Sequence, residues 1–494
     1  MPNPWDLRKA IRDRLADEQG TLHRESGRLC ALVYPSPYHV GMSSLGYQTI
    51  YRILNDRPGL ACERAFLPDD VDAWRQARMP LYTYESEREV SSADYLGVSV
   101  AYELELTGLF DVLGLAGLPV LAADRDARHP LVFMGGPLTF SNPLPLGPFA
   151  DVVLLGEAEE LVGQLMDVAE SAASRPALLA QLATLGGFWV PAIHGEKLPH
   201  VAAADDSLLP ARSQILTPHT ELHSMFLIEP ERGCSRGCTY CVMRRSTNGG
   251  MRLVAPDRLM ALVPEAARRV GLVGAAVTDH PKLPEILRRL VDSGREVGIS
   301  SLRADRLTPE IVSLMARGGY RAITFASDGA SERMRKEVQR GTKERHLLAA
   351  AEMARAAGMA HVKVYQMVGL PTETDDDIDE MVRLTREMAK IIKTVLGVAP
   401  FVAKRNTPLD GAPFEGIASV DAKMARLRRG LAGAAEVKPT SSRWAWIEYL
   451  LAGGGMDAGL RALAAHRAGG NFAAWKRAFA DATQAQNRAL RVVS

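Results

Sequence analysis

The sequence predicts an α/β chain of two successive parallel-sheet domains with a small helical unit behind them. Three observations predict it. Short apolar runs alternate with amphipathic stretches in the first third of the chain, the same alternation recurs six times after residue 224, and past about residue 418 the pattern is helical alone. The chain has 494 residues, of which 47% are hydrophobic. That is too long for one ordinary domain and apolar enough for two or three buried cores.

Residues 1–24 open with PNPWDLRKAIRDRLADEQ, a charged amphipathic helix without the apolar centre of a signal peptide. Over 25–184, strand runs at 29–34 (LCALVY), 61–66, 95–100 (YLGVSV), 131–134 and 151–155 (DVVLL) alternate with helical stretches such as 43–55 and 104–116. That order predicts a doubly wound, Rossmann-like parallel sheet, whose ligands bind at the carboxyl ends of the strands. Those ends carry SPYH at 36–39, SV at 99–100, GGP at 135–137 and GEAEE at 156–160. Residues 185–222, rich in Ala, Pro and short polar turns, read as a linker.

From 223 to 417, strand runs at 225–229, 273–278, 297–302, 321–326, 362–368 and 395–402 are separated by helical patterns at 256–270, 283–293, 308–318, 344–357 and 375–392. Six β-α units in a row predict a barrel-like sheet with its chemistry at the strands' carboxyl ends. Asp279, Ser301, Arg303, Asp328, Gly369 and Lys404 occupy those ends. Any of them can equally be a loop residue capping the next helix, as Thr308 and Asp375 are placed to do. Residues 418–494 form the carboxyl-terminal helical region, and the aromatics of SSRWAWIEYLL read as docking core.

The run EPERGCSRGCTYCVMRR at 229–245 places Cys234, Cys238 and Cys241 in one loop. Three thiolates can hold a four-iron cubane and leave one iron open to a non-protein ligand. Gly233 and Gly237 allow a tight wrap, and Arg232, Arg236, Arg244 and Arg245 can neutralise a cluster of net negative charge. Structural zinc competes with this reading, but it needs four ligands and no partner cysteine lies nearby. Cys30 and Cys62 sit in strand patterns as small core residues, and free thiols fit a reducing, cytoplasmic setting. Lys plus Arg is 59 against 58 acids, a net charge of +1, so no global pull toward nucleic acid exists. No apolar run reaches membrane-spanning length.

CxxxCxxC with Tyr240 before its last cysteine resembles the signature of the radical S-adenosylmethionine (SAM) superfamily. The resemblance implies a partial (βα)6 TIM-like barrel and a [4Fe-4S] cluster on Cys234, Cys238 and Cys241. It further implies SAM on the open iron, and an external reductant such as ferredoxin or flavodoxin. Tyr240 would lie beside the adenine, with Ser301, Arg303, Asp328 and Gly369 on the SAM-binding rim; FASDGASERMR (325–335) and MVGLPTET (367–374) resemble the family's later turns. The family's GGE motif, which holds the SAM amino group, is replaced by TDHP at 278–281, leaving Thr278 or Asp279 for that task.

A flavodoxin-like domain before such a barrel is similar to the cobalamin-binding branch of the superfamily. Within it the chain is closest to an uncharacterised group with a PYxVGMSxLG opening (37–46) and a PFVxKxxTP strand (400–408). Ser99, Gly135, Gly136, Gly156 and Glu157 would then line the cobalamin nucleotide tail, with His39 as the axial candidate. The DxHxxG signature is absent, since Pro37 stands at its Asp and Met42 at its Gly. The resemblance implies methyl transfer to an unactivated carbon; rearrangement, ring formation or RNA modification without methyl transfer is the alternative. Methylthiotransferases add a second cysteine triad in the amino-terminal domain, which Cys30 and Cys62 cannot supply. In a reading of another class, the cluster is a structural or redox-sensing element of an interaction protein.

Overall fold

A computed structural model describes residues 3–243, 250–300 and 302–481. The chain divides into two compact units: residues 1–225 with 454–494, and residues 226–453.

In the first unit, strands β1 (Leu29–Tyr34), β2 (Ala61–Phe66), β3 (Tyr95–Ser99), β4 (Leu131–Gly135), β5 (Val152–Leu154) and β6 (Phe188–Trp189) form a sheet ordered β2-β1-β3-β4-β5-β6. All pairs are parallel except β5 with β6. β1 and β2 are buried at every position, which is why they read as near-continuous apolar runs. The strand order reverses between β1 and β3, the usual ligand position of a doubly wound sheet. The stretch read as a linker contributes β6, and its Ala202 pairs with Gly156 just beyond β5.

In the second unit, β7 (Met225–Ile228), β10 (Arg269–Leu272) and β11 (Glu296–Ile299) form one sheet, ordered β11-β10-β7. A second contains β12 (Ala322–Ala326), β13 (His361–Val368), β14 (Thr394–Pro400) and β15 (Glu436–Pro439) in chain order. A parallel bridge from Leu302 to Phe325 carries the order from one sheet to the other, so seven strands follow one another as in a partial barrel. β8 (Glu231–Gly233) and β9 (Met251–Leu253) form a separate antiparallel ribbon flanking the cysteine loop. Helices Leu283–Asp292, Pro309–Arg317, Glu344–Ala356 and Asp375–Ile391 separate the strands, and Thr308 caps the second of them through Ile311 N.

Two elements differ from expectation. The second strand lies at 269–272, not at 273–278, because the preceding helix stops at Leu262 and Gly274 must pass tightly against Glu231. A Cβ on Gly274 would lie 2.2 Å from Glu231 Oε1. Residues 418–494 are not one helical region: the helix Ile417–Leu431 returns the chain to β15, which pairs with β14, and the residues from Gly454 on belong to the first unit.

Candidate functional site

β8 delivers the chain to Cys234 through Gly233, whose φ of 96° is open to glycine at little cost. Main-chain bonds clamp the loop that follows. Thr239 N donates to Val338 O (3.1 Å), Leu409 N donates to Thr239 O (3.2 Å), and Arg236 N reaches Cys234 Sγ at 3.4 Å. Cys234, Cys238 and Cys241 line one cavity of about 370 Å³ with Ala275, Ala276, Arg303, Thr324, Ala326, Asp328, Arg340 and Tyr365. Among the described residues no three His, Cys, Asp or Glu side chains converge on a single metal ion. Three thiols spread round one cavity are the donor set of a multi-iron cluster with an open position, so these residues fit the cluster.

Tyr240 is fixed from behind. Its hydroxyl donates to Asp328 Oδ2 at 2.6 Å, and Arg340 Nε stands 2.8 Å from the same oxygen. Burial first, and then the Asp328 charge, raise the Tyr240 pKa, so the phenol keeps its proton. Burial opposes charge on Arg340, yet Asp328 and Tyr240 hold its pKa above the usual value. Asp328 takes φ of 64°, a left-handed conformation that Asp tolerates better than most residues.

Asp279 and Thr278 are placed differently from the expectation that they hold the SAM amino group. Asp279 accepts from Arg236 (2.7 and 2.8 Å) and Arg306 (3.0 Å), and burial, which would raise its pKa, is outweighed by these guanidiniums. Thr278 Oγ1 accepts from Arg303 N at 3.1 Å. Neither lines the cavity; together they frame the cluster loop and the Arg303 turn. Arg303 does line it. One of its terminal nitrogens donates to Asp305 (3.1 Å) and Arg340 O (3.3 Å), while its buried Nε makes no hydrogen bond among the described residues.

Gly369 takes φ of 85° in a turn backed by Glu373 and Glu415, away from the cavity lining, and Lys404 pairs with Glu448 at 2.7 Å. Ser301, Arg244 and Arg245 lie outside the described residues.

Glu231, Arg340, Lys363 and Tyr365 were not singled out from the sequence. Glu231 is fully buried; its Oε1 accepts from Ala276 N at 2.8 Å and its Oε2 has no partner among the described residues. Burial pushes its carboxyl up to about 7, against the Ala276 amide, which lowers it. A carboxyl whose folded pKa is raised contributes stability below its unfolded pKa and loses it as pH rises through 7. Glu231→Gln therefore gains on the parent between pH 5 and pH 8 by about 2 kcal/mol, measured as the difference in urea unfolding. A pH-independent difference would show that Glu231 does not titrate in this range.

In the first unit, the residues assigned to a nucleotide tail are partly taken by the chain. A Cβ on Gly156 would lie 2.3 Å from Ala202 O, and buried Glu157 accepts from Ala204 N at 2.7 Å. Gly136, at φ of 104°, abuts Val100, and Ser99 pairs in register with Gly135. At the strand-order reversal, buried Glu105 accepts from Ser36 Oγ (3.0 Å) and Ala101 N (2.6 Å), while His39 is exposed. Segment 202–204 thus occupies the end of β5, and the pair Gly156–Glu157 does not fit a nucleotide tail there.

Residues 228–385 match the model of the radical SAM superfamily, and residues 46–191 match that of radical SAM proteins, N-terminal. An uncharacterised protein of Methanocaldococcus jannaschii is 26% identical over 402 residues, 78% of this chain and 80% of that one. The tRNA-2-methylthio-N(6)-dimethylallyladenosine synthase of Aquifex aeolicus is 27% identical over 214 residues, 40% of this chain and 47% of the relative. Among solved structures, the cobalamin-dependent S-adenosylmethionine radical enzyme OxsB with aqua-cobalamin bound superposes with a TM-score of 0.54 at 12% identity. That match covers 81% of this chain and 56% of OxsB, so the chain spans just over half of that protein and shares its fold. With both family models falling in order on the two units, and the cysteine loop inside the second, the chain belongs to the radical SAM superfamily.

Proposed function

We propose that this chain binds a [4Fe-4S] cluster on Cys234, Cys238 and Cys241 and reductively cleaves SAM beside it. The observation that carries the reading is one cavity lined by three thiols together with Arg303, whose buried Nε makes no hydrogen bond among the described residues and stands 3.9 Å from Asp279 Oδ1. When bound, cluster and SAM supply a 5′-deoxyadenosyl radical able to take a hydrogen atom from an unactivated carbon. The chain's own residues do the holding. Asp279 anchors Arg236 next to Cys234, and Asp328 and Arg340 anchor Tyr240 next to Cys241. Arg303 Nε supplies a donor for a carboxylate such as that of SAM, and Ala275, Ala276 and Ala326 leave room and an apolar wall.

The test is anaerobic incubation of reconstituted protein with SAM and a strong reductant, with nucleosides identified by mass spectrometry. Formation of 5′-deoxyadenosine supports the reading; its absence when cluster and SAM are bound favours the structural or redox-sensing one. Arg303→Lys is expected to weaken SAM binding about tenfold to a hundredfold with iron content unchanged, read by equilibrium dialysis. Unchanged affinity would remove Arg303 from the SAM site.

Methyl transfer with cobalamin is supported by the likeness in fold to a cobalamin-dependent enzyme and by the doubly wound sheet ahead of the barrel. The closure of the β5 end speaks against it, so no step is derived through cobalamin. Spectroscopic titration with hydroxocobalamin separates the two, and S-adenosylhomocysteine formed only in its presence would establish methyl transfer. RNA modification keeps as its support the partial match to tRNA-modifying relatives over the barrel.

A further inference from the structure

One strand face in the second unit carries a cation that has no carboxylate partner among the described residues. Along β13 the alternate residues Val362, Val364, Gln366 and Val368 are buried, so Lys363 and Tyr365 share the opposite face. Tyr365 lines the cysteine cavity and is 46% exposed. Lys363 Nζ donates to Tyr365 Oη at 2.8 Å and lies 4.5 Å from the ring centroid. These are its polar contacts among the described residues; no carboxylate pairs with it.

The neighbouring strands are shaped round this pair. Thr324 of β12 stands directly across from Lys363 and lines the same cavity. Tyr365 is flanked by Ala326 and Gly397, and a Cβ on Gly397 would lie 2.9 Å from the ring. Glycine there leaves the ring its place. Because the phenol oxygen accepts from Lys363, the phenol's own proton remains to be donated to a third group. An ammonium, a phenol and a threonine hydroxyl on one face, beside a cavity that focuses the field of a charge without a carboxylate partner among the described residues, make a site for an anionic hydrogen-bond acceptor.

We infer that Lys363, Tyr365 and Thr324 form a subsite for an anionic oxygen group of the substrate, a carboxylate or a phosphate. The inference rests on the proposed function in taking the molecule held beside the cysteines to be the substrate. Lys363 meets the charge as a compact ammonium, Tyr365 and Thr324 orient it, and the remainder of the substrate extends toward the cysteine end of the cavity.

The probe is pyridoxal 5′-phosphate, an anionic aldehyde that forms an imine with lysine. The adduct is fixed with cyanoborohydride on the full-length, cluster-loaded, SAM-bound protein and mapped by mass spectrometry. Lys363 is expected to label faster than the exposed lysines, and inorganic phosphate or succinate to slow that labelling selectively, whereas chloride at equal ionic strength does not. Protection by phosphate alone assigns a phosphoryl group, and protection by succinate alone a carboxylate. Tyr365→Phe should weaken the protection about fivefold, and Gly397→Ala should abolish it with iron content retained. Labelling at the rate of exposed lysines, or slowing equal to that by chloride, overturns the subsite. Labelling needs no SAM cleavage, so selective protection without 5′-deoxyadenosine keeps the subsite and sinks the radical reading, and the converse result does the reverse.

Discussion

Alanine at Cys234, Cys238 or Cys241 removes bound iron and lowers SAM cleavage to background, whereas Cys30→Ala and Cys62→Ala leave both. The three loop thiols line one cavity and sit on a backbone clamped to Val338 and Leu409, so loss of one leaves two thiolates for a cluster that needs three. Cys30 and Cys62 do not line that cavity. They are partners in the β1–β2 ladder and buried. Burial, and then the neighbouring Cys30, push the Cys62 thiol well above its ordinary pKa, so it is a poor thiolate ligand. Their replacement removes one sulfur from a core and costs about 1 kcal/mol of stability. Iron and zinc content, the cluster's visible absorption and 5′-deoxyadenosine are measured on the five variants side by side. Iron retained in a triad variant, or zinc bound in place of iron, would falsify the assignment.

How much was legible follows from what each element buries. β11 to β14 lie within a few residues of their apolar runs because those runs are the buried faces of parallel strands. β10 was misplaced because VGLVGAAV (270–277) is apolar throughout, and only the close passage of Gly274 over Glu231 decides which half pairs. β15 was not legible at all: EVKP is an edge strand with exposed Glu436 and Lys438, and a charged edge carries no apolar signal. At the site, the cysteine spacing was local and therefore visible, while Tyr240, Asp328 and Arg340 meet across about a hundred positions of sequence. Thr278 and Asp279 stand at a strand end in the sequence, but Arg236 and Arg306 turn Asp279 into an anchor for the loop. Lys363 and Tyr365 did leave a signal in VKVYQMV, where polar residues alternate with valines at the strand period.

Asp328→Ala is the second large effect, and its size follows from what it strands. Arg340 is 10% exposed at its side chain and has Asp328 as its carboxylate partner, and the Tyr240 phenol loses its acceptor at the same time. Removing one member of a buried pair leaves the other charged and unpaired, which costs about 3 kcal/mol. Backbone and charge can be told apart because φ at Asp328 is 64°. Asp328→Asn tolerates that conformation and still accepts from Tyr240 while dropping the charge, so it loses least. Asp328→Gly relaxes the backbone but drops both contacts, and Asp328→Ala drops both and strains the turn by about 1 kcal/mol more. The expected order of stability is Asp, Asn, Gly, Ala, read from urea unfolding. Iron is released to a chelator in the reverse order, since Tyr240 adjoins Cys241 and its anchor holds the loop. Arg340→Met in the Asp328→Ala background should recover part of the loss by removing the stranded charge. If Asp328→Ala costs no more than an ordinary surface change, about 0.5 kcal/mol, the anchor is not what holds the cysteine loop, and the clamp through Val338 and Leu409 carries it alone.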